Sequence, residues 1–466
     1  MLIFGICHQI KPLSSVLIGF CCLTGSQRNG ADQIRCSEMR PITTQCGLEG
    51  LLCDISDDLL YERLFHASRK GEYTHKRSAI APYLVSLQVR IQIEMASATL
   101  PDLPLAMRAA LVANFHKPYE IRDDLPLPEA VEGHDIVIRV AAASFCHTDM
   151  MVLDGRMLDT PKDYAGSHEP TGTVVGLGSD AAALGFKLGD RIATLGCRNP
   201  CGECADCKGP IEQRQYCRFI KGVGVGLPGA FADYTVVDAR FAVVLPDSMS
   251  FVTGAPLTCA GATAFRSLRV ANCHPGEWIG IVGSGGGLGH LAIQFAVKSG
   301  VNVVAVDARD EALELSGQCG AQLVLDARKG IDELAAAITE FIGDDKVKAT
   351  IVLSDHDTAC DTACTITRRH GTIIQVAQPP RVSFDFGAII FKDLHFQGSM
   401  ISSQREFREM IDFVLKHKIQ VKTTVYEGIE SVNTVLADAR QGNVTGKLVV
   451  VLDRDAVEED RAKNRW

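Results

Sequence analysis

The rhythm of hydrophobic and polar positions changes twice along this chain, and each change marks a region. From about Met107 to Cys259 the apolar stretches are short. Residues 109–112, 135–142 and 172–176 read as strands separated by glycine and proline turns, which predicts a β-rich domain. Strand and helix patterns then alternate. Strands are predicted at 278–282, 301–306, 322–325, 350–353 and 372–376, and helices at 288–298, 310–316, 331–342 and 358–369. In the first of these helices Leu288, Leu291, Ala292 and Phe295 share one face. Such alternation predicts a parallel sheet covered by helices. Past residue 397 the rhythm loosens into helices at 406–416 and 429–440 and a strand at 447–452.

Residues 1–106 follow neither rhythm. Val85, Leu87, Val89, Ile91 and Ile93 alternate with polar residues, a strand-like piece. The apolar run 13–23 follows Lys11 but lacks a clear small-residue cleavage site, and acidic residues return at Asp32 and Glu38. This region reads as a poorly ordered extension, or as sequence outside the mature protein. No apolar run reaches the eighteen or more residues of a membrane span. A net charge of -9 and a pI near 5.8 argue against a nucleic-acid partner. With 46% hydrophobic residues, the 466-residue chain can fill two or three domain cores. Its 17 cysteines show no small disulfide scaffold, so the expected setting is reducing: cytoplasmic, with mitochondrial as the alternative.

The glycine run Gly283-Ser284-Gly285-Gly286-Gly287-Leu288-Gly289 lies between a predicted strand and a predicted helix. There the backbone turns tightly, and a pyrophosphate can meet the free N–H groups of the helix N-terminus. The run is one residue longer than G-x-G-x-x-G, so the job of each glycine stays open. Asp307 ends the next strand, where a carboxylate would accept the ribose hydroxyls of NAD and repel the 2′-phosphate of NADP. Arg309 could accommodate such a phosphate, so NADP is the lesser expectation.

Metal chemistry is written into two sets of cysteines. Cys201, Cys204 and Cys207 recur every three residues, and Cys217 follows ten later, which suits a closed tetrathiolate zinc site. Cys146 in Cys146-His147-Thr148-Asp149, His168 in His168-Glu169, and Cys259 could together offer two thiolates and an imidazole, leaving a zinc with one open position. Their convergence is an expectation for the fold to meet.

Together these motifs closely resemble the zinc-dependent medium-chain alcohol dehydrogenases over roughly 107–452. The resemblance rests on Cys146-His147-Thr148-Asp149, His168-Glu169 with Gly172 and Gly176, the four-cysteine lobe, Pro256-Leu257-Thr258-Cys259-Ala260-Gly261 and His290-Leu291-Ala292-Ile293-Gln294 after the glycine run. The last stretch is similar to the tetrameric, yeast-type branch. The resemblance implies an α/β protein: a GroES-like β-rich catalytic domain (107–259, resumed at 397–452) with an inserted Rossmann-type doubly wound parallel-sheet domain (260–396) and a tail (453–466). It implies reversible hydride transfer between a small alcohol or aldehyde and NAD, two zinc ions per chain, and a homotetramer or otherwise a homodimer.

By residue, it implies Cys146, His168 and Cys259 as ligands of the catalytic zinc, and Glu169 as a transient one. Thr148 would contact the substrate oxygen, Asp149 would orient His168, and His147 would lie near the cofactor. Gly283, Gly285, Gly286, Gly287, Leu288, Gly289 and Asp307 would bind the cofactor, with Lys447 near its phosphate. The sequence departs from the family in three places. Met151 stands where a relay histidine is usual, the gap before Cys217 is longer and should bulge, and Lys447 replaces an arginine. A related enzyme of polyols, aromatic alcohols or specialised metabolites is the main alternative. A zinc-free quinone-type reductase and a non-catalytic zinc module are the others.

Overall fold

The computed structural model describes residues 104–466 apart from 129–130, 158–162, 345–346 and 443–444. The strand-like piece at 85–93 and the targeting readings lie outside the described residues.

The first region builds a main sheet and two small ones, of two and three strands. Strands β1 (Asp135–Phe145), β2 (Glu169–Leu177), β3 (Arg191–Thr194), β4 (Tyr234–Asp238) and β5 (Ala242–Val244) pair antiparallel. Gly172 lets β2 approach β1, since a Cβ there would lie 2.2 Å from the Arg139 carbonyl oxygen, beside a register shift. Three helical pieces then lead out of this sheet. Helix α1 (His147–Leu153) follows β1, and α2 (Phe251–Pro256) runs through a π turn at Leu257–Gly261 into α3 (Ala262–Ala271).

The second sheet contains β6 (Trp278–Val282), β7 (Asn302–Asp307), β8 (Leu323–Asp326), β9 (Val347–Val352), β10 (Thr367–Gln375) and β11 (His395–Gly398). All pairs are parallel, in the order β8-β7-β6-β9-β10-β11. The order reverses between β6 and β9, and a ligand crevice opens at the carboxyl ends of the strands at such a point. Successive residues point to opposite faces and both faces are buried, as in a sheet covered on two sides. Ile279, Ile281, Val303 and Ala305 pack on α3 and on α4 (Gly289–Lys298). Val304, Val306 and Val352 pack on Leu334 and Ile338 of a helix at Ile331–Ile342 and on Ala363 of another at Ala359–Ile366. The fold class is therefore the expected one. The helix expected at 358–369 stops at Ile366, because the Thr367 hydroxyl bonds to the Ala363 carbonyl and to Thr350 and the chain turns into β10.

The loosened rhythm after 397 is a return. Helix α5 (Gln404–His417) starts on the Ser403/Glu406 capping box and packs Phe407, Met410 and Val414 on the second sheet's core. Strands β12 (Thr423–Glu427) and β13 (Lys447–Val451) then rejoin the first sheet, with β13 antiparallel to β1 in the register Leu448↔Phe145. The final segment forms α6 (Arg454–Ala462). Its buried Asp460 accepts hydrogen bonds from Arg191, Arg465 and the Phe251 N–H at 2.7–2.9 Å, tying the chain end to α2. Among the described residues no helix is long and apolar enough to cross a membrane.

His290 and Gln294, one turn apart on α4, grip the returning segment. The Lys422 N–H donates to His290 Nε2 (3.2 Å), so Nδ1 carries the proton toward the Gly286 carbonyl (3.1 Å). Gln294 exchanges two hydrogen bonds with the Gln420 backbone. Burial pushes the His290 pKa down from 6.5 to about 4. Below pH 6.5 the unfolded chain takes a proton that the folded one refuses, so stability falls as pH drops toward 4. From this group alone the loss between pH 7.5 and 5 is about 2 kcal/mol. We expect His290→Gln to lose that much less over the same interval, as read by urea unfolding at the two pH values.

Candidate active site

The open metal set is assembled from three elements. Cys146 caps the N-terminus of α1 just past β1, and Asp149 at the third helical position closes the cap by accepting the Cys146 N–H (2.8 Å). The other oxygen of Asp149 lies 3.3 Å from His168 Nδ1 and so fixes that ring. His168 immediately precedes β2, which Glu169 opens, and both follow Ser167, whose φ of 67° is a strained value for a non-glycine residue. Ser167 is locked there by its hydroxyl bond to the Ser144 carbonyl (3.0 Å). Cys259 sits in the π turn after Pro256, which has no N–H for a regular helical bond. One ligand atom from each of Cys146, His168, Glu169 and Cys259 lies within 4.8 Å of the others.

Their chemistry fits a borderline-soft cation. Two sulfurs, an imidazole and a carboxylate suit zinc. Glu169 Oε2 is buried with no hydrogen-bond partner, a vacancy that a cation would fill. A hydrogen bond from Cys259 pulls Cys146 well below the ordinary thiol range. Burial lifts the Glu169 carboxyl to about 7.

Lys447 stands between the metal set and the glycine turn. Its buried ammonium lies 2.8 Å from Glu169 Oε1 and 2.7 Å from the Phe145 carbonyl, a pairing that the expectation of a nearby cofactor phosphate did not include. Its aliphatic stem packs on the glycine turn, so close to Gly287 that a Cβ there would lie 2.7 Å from Lys447 Cδ. The cause is desolvation, because a buried charge needs an opposite one and Glu169 provides it.

The closed set is local. Cys201 Sγ accepts the N–H groups of Glu203 and Cys204 (3.4 and 3.3 Å), and its thiol is drawn down to about 6 by these bonds. Cys207 and Cys217 complete a four-sulfur group within 4.8 Å. The lengthened gap before Cys217 folds into a 3₁₀ helix at Ile211–Tyr216.

On the facing side the glycines divide their work. Gly283 makes the turn at φ 85°. Gly285 packs on Ala312, with no room for a Cβ, and Gly289 packs on the Gly283 and Ser284 carbonyls. A Cβ on Gly286 would meet nothing closer than 3.5 Å, which leaves that backbone open to the cleft. Leu288 caps α4. Asp307 accepts the Gly285 and Ala308 N–H groups (3.0 and 2.8 Å) at the end of β7.

A cavity of about 780 Å³ joins both sides, lined by Cys146, Thr148, His168 and Cys259 and by Gly283, Gly286 and Gly287. Thr148 Oγ1 lies 3.7 Å from Cys146 Sγ. His147 reaches across the cleft to Asp355 (3.3 Å). Sequence reasoning passed over Asp355, although its place just beyond β9 at the switch point is a positional signal. It also passed over Tyr216, which the long cysteine gap carries to the cavity wall.

Comparison with known proteins agrees with this geometry. The family "Alcohol dehydrogenase GroES-like domain" matches residues 132–247, and "Zinc-binding dehydrogenase" matches 287–416. Two alcohol dehydrogenases of Geobacillus stearothermophilus are similar. One is 32% identical over 349 residues and the other 31% over 354, covering 74% and 75% of this chain and 100% of each relative. The crystal structure of the alcohol dehydrogenase from the archaeon Aeropyrum pernix matches with a TM-score of 0.67 at 27% identity, over 74% of this chain and 99% of that one.

Two outcomes test the two clusters. Lys447→Met strands a buried carboxylate and should cost about 3–5 kcal/mol, read as a lower unfolding midpoint at pH 8, and adding Glu169→Gln should restore most of it. Cys204→Ser should remove one metal ion per chain and lower the thermal midpoint, as counted by elemental analysis beside a melting curve.

Proposed function

The chain belongs to the zinc-dependent medium-chain alcohol dehydrogenase family, and from that premise we propose that its cleft interconverts an alcohol and its aldehyde or ketone with NAD(H). The observation that carries this reading is the single cavity in which Cys146, His168 and Cys259 face the open backbone of Gly286. In this proposal those three residues hold a catalytic zinc, Glu169 is an alternative ligand, and Cys201, Cys204, Cys207 and Cys217 hold a structural one. When bound, the zinc would supply Lewis acidity toward the alcohol oxygen, and the nicotinamide would take up the hydride.

The protein's own part is to place and to exclude. Thr148 offers its hydroxyl beside Cys146 and takes the first hydrogen bond from the alcohol. Asp149 keeps the His168 ring in one orientation through Nδ1. The thioether of Met151 carries no proton, so the path outward from Thr148 runs to His147 at the rim or to water. The glycine turn presents N–H groups to a pyrophosphate. Asp307 places a negative charge where a 2′-phosphate would sit. Arg309 is engaged by Asp307 (3.6 Å) and the Gly442 carbonyl (2.9 Å), which supports NAD over NADP.

The working form we propose is a cytoplasmic homo-oligomer, a tetramer if the likeness of 290–294 to the yeast-type branch extends to assembly and a dimer otherwise. The exposed Phe386, Ile390 and Phe391 near edge strand β11 support an interface.

Assaying the full chain with alcohols and with NAD or NADP tests this reading. We expect NAD to be preferred, Cys146→Ser to abolish turnover, and Thr148→Ala to lower kcat by about 10²-fold or more. Full turnover by Cys146→Ser would overturn the proposal.

A further inference from the structure

The lengthened segment between Cys207 and Cys217 does more than close the cysteine lobe. Its 3₁₀ helix ends on Tyr216, whose side chain lines the cleft with Cys259 and Thr263. Tyr216 is 41% exposed, and the segment that carries it is anchored at both ends. Cys217, the next residue, is fixed in the four-sulfur group. The Arg266 guanidinium lies 5.8 Å from the ring centre and is itself gripped by both oxygens of Glu406 at 2.8 and 2.9 Å. At the other end of the same helix Glu212 pairs with Arg405 on α5. The aromatic wall is thus tied to the cysteine lobe on one side and to the second sheet's helices on the other.

Tyr216 joins Phe145, Met150, Met151, Met400 and Ile401 as the bulky apolar and aromatic part of the cleft lining. The charged residues there already have protein partners: His147 has Asp355, Lys447 has Glu169, and Arg309 has Asp307. We propose that Tyr216 is a specificity-determining residue and that the substrate is a bulky apolar alcohol, aromatic or medium-chain. This rests on the alcohol dehydrogenase reading above. The thioethers adapt their shape to an apolar body and contact aromatic rings favourably. A tyrosine ring adds a flat face against which an aromatic group stacks or packs edge-on. Gln375 and Ser399 line the same cleft, but a polyol would still set hydroxyls against these rings and thioethers, which offer no such partners, a costly burial. A two-carbon alcohol would leave the wall untouched and forgo its binding energy.

The experiment uses the zinc-loaded full chain and measures kcat/KM for benzyl alcohol, 1-hexanol, ethanol and sorbitol with NAD and with NADP. Benzyl alcohol and 1-hexanol should exceed ethanol by about tenfold or more, and sorbitol by a wider margin. Tyr216→Ala should lower the benzyl alcohol to ethanol ratio by about tenfold, and Tyr216→Phe should preserve it, with zinc content equal to the parent's in both. A preference for ethanol or sorbitol, or a ratio unmoved by Tyr216→Ala, overturns this assignment and leaves the alcohol dehydrogenase reading standing. No turnover of any alcohol overturns that reading and this one with it.

Discussion

A lysine ammonium buried against a glutamate holds this cleft in register. Lys447 and Glu169 are separated by 278 residues in sequence and by 2.8 Å in space. Neither tolerates burial alone, since an unpaired charge in such surroundings costs several kcal/mol, a large share of a protein's net stability of roughly 5–15 kcal/mol. The pair therefore forms only when β13 lies along β1, opposite the edge that β1 shares with β2. That placement requires the chain to leave the first sheet, build the second and come back. Gly446 makes the arrival possible, with a φ of 75° and a contact on the Lys422 carbonyl that excludes any side chain. The same ammonium fastens to the Phe145 carbonyl, one residue before Cys146. The ion pair thus sets the ground on which the open metal ligands stand.

The two cysteine clusters obey different physics. The closed one is a product of short-range geometry, a turn whose N–H groups point at Cys201 and whose spacing brings four sulfurs together. The open one needs a strand end, a strained residue before a histidine and a π turn behind a proline. Strain of this kind persists only where the surroundings over-determine it. Here Ser167 is pinned by its hydroxyl, and the Gly224 and Gly229 backbones press so closely on it that neither position admits a Cβ.

The cleft divides its labour between its walls. The nucleotide side offers backbone, with Gly286 open, Gly285 and Gly289 packed, and Asp307 bracing the turn. The metal side offers side chains whose orientations are fixed by others, with Asp149 on His168 and Lys447 on Glu169. The His147–Asp355 contact bridges the two walls, both residues half-exposed at the rim.

Much of this was legible in the sequence. Period-two and helical patterns located most strands and helices of the second sheet, and the glycine run, Asp307 and the four-cysteine spacing pointed to their chemistry, because each is set by residues close together in the chain. Family resemblance nominated Cys146, His168 and Cys259, but their meeting at one point is a property of packing. Tertiary structure alone revealed that Lys447 pairs with Glu169, since that depends on what is buried beside it. It also decided that the extra residues before Cys217 carry Tyr216 to the cavity wall, and that the final segment is a helix anchored by Asp460. Local spacing is written along the chain. Which distant groups share a desolvated space is settled only when the strands pair.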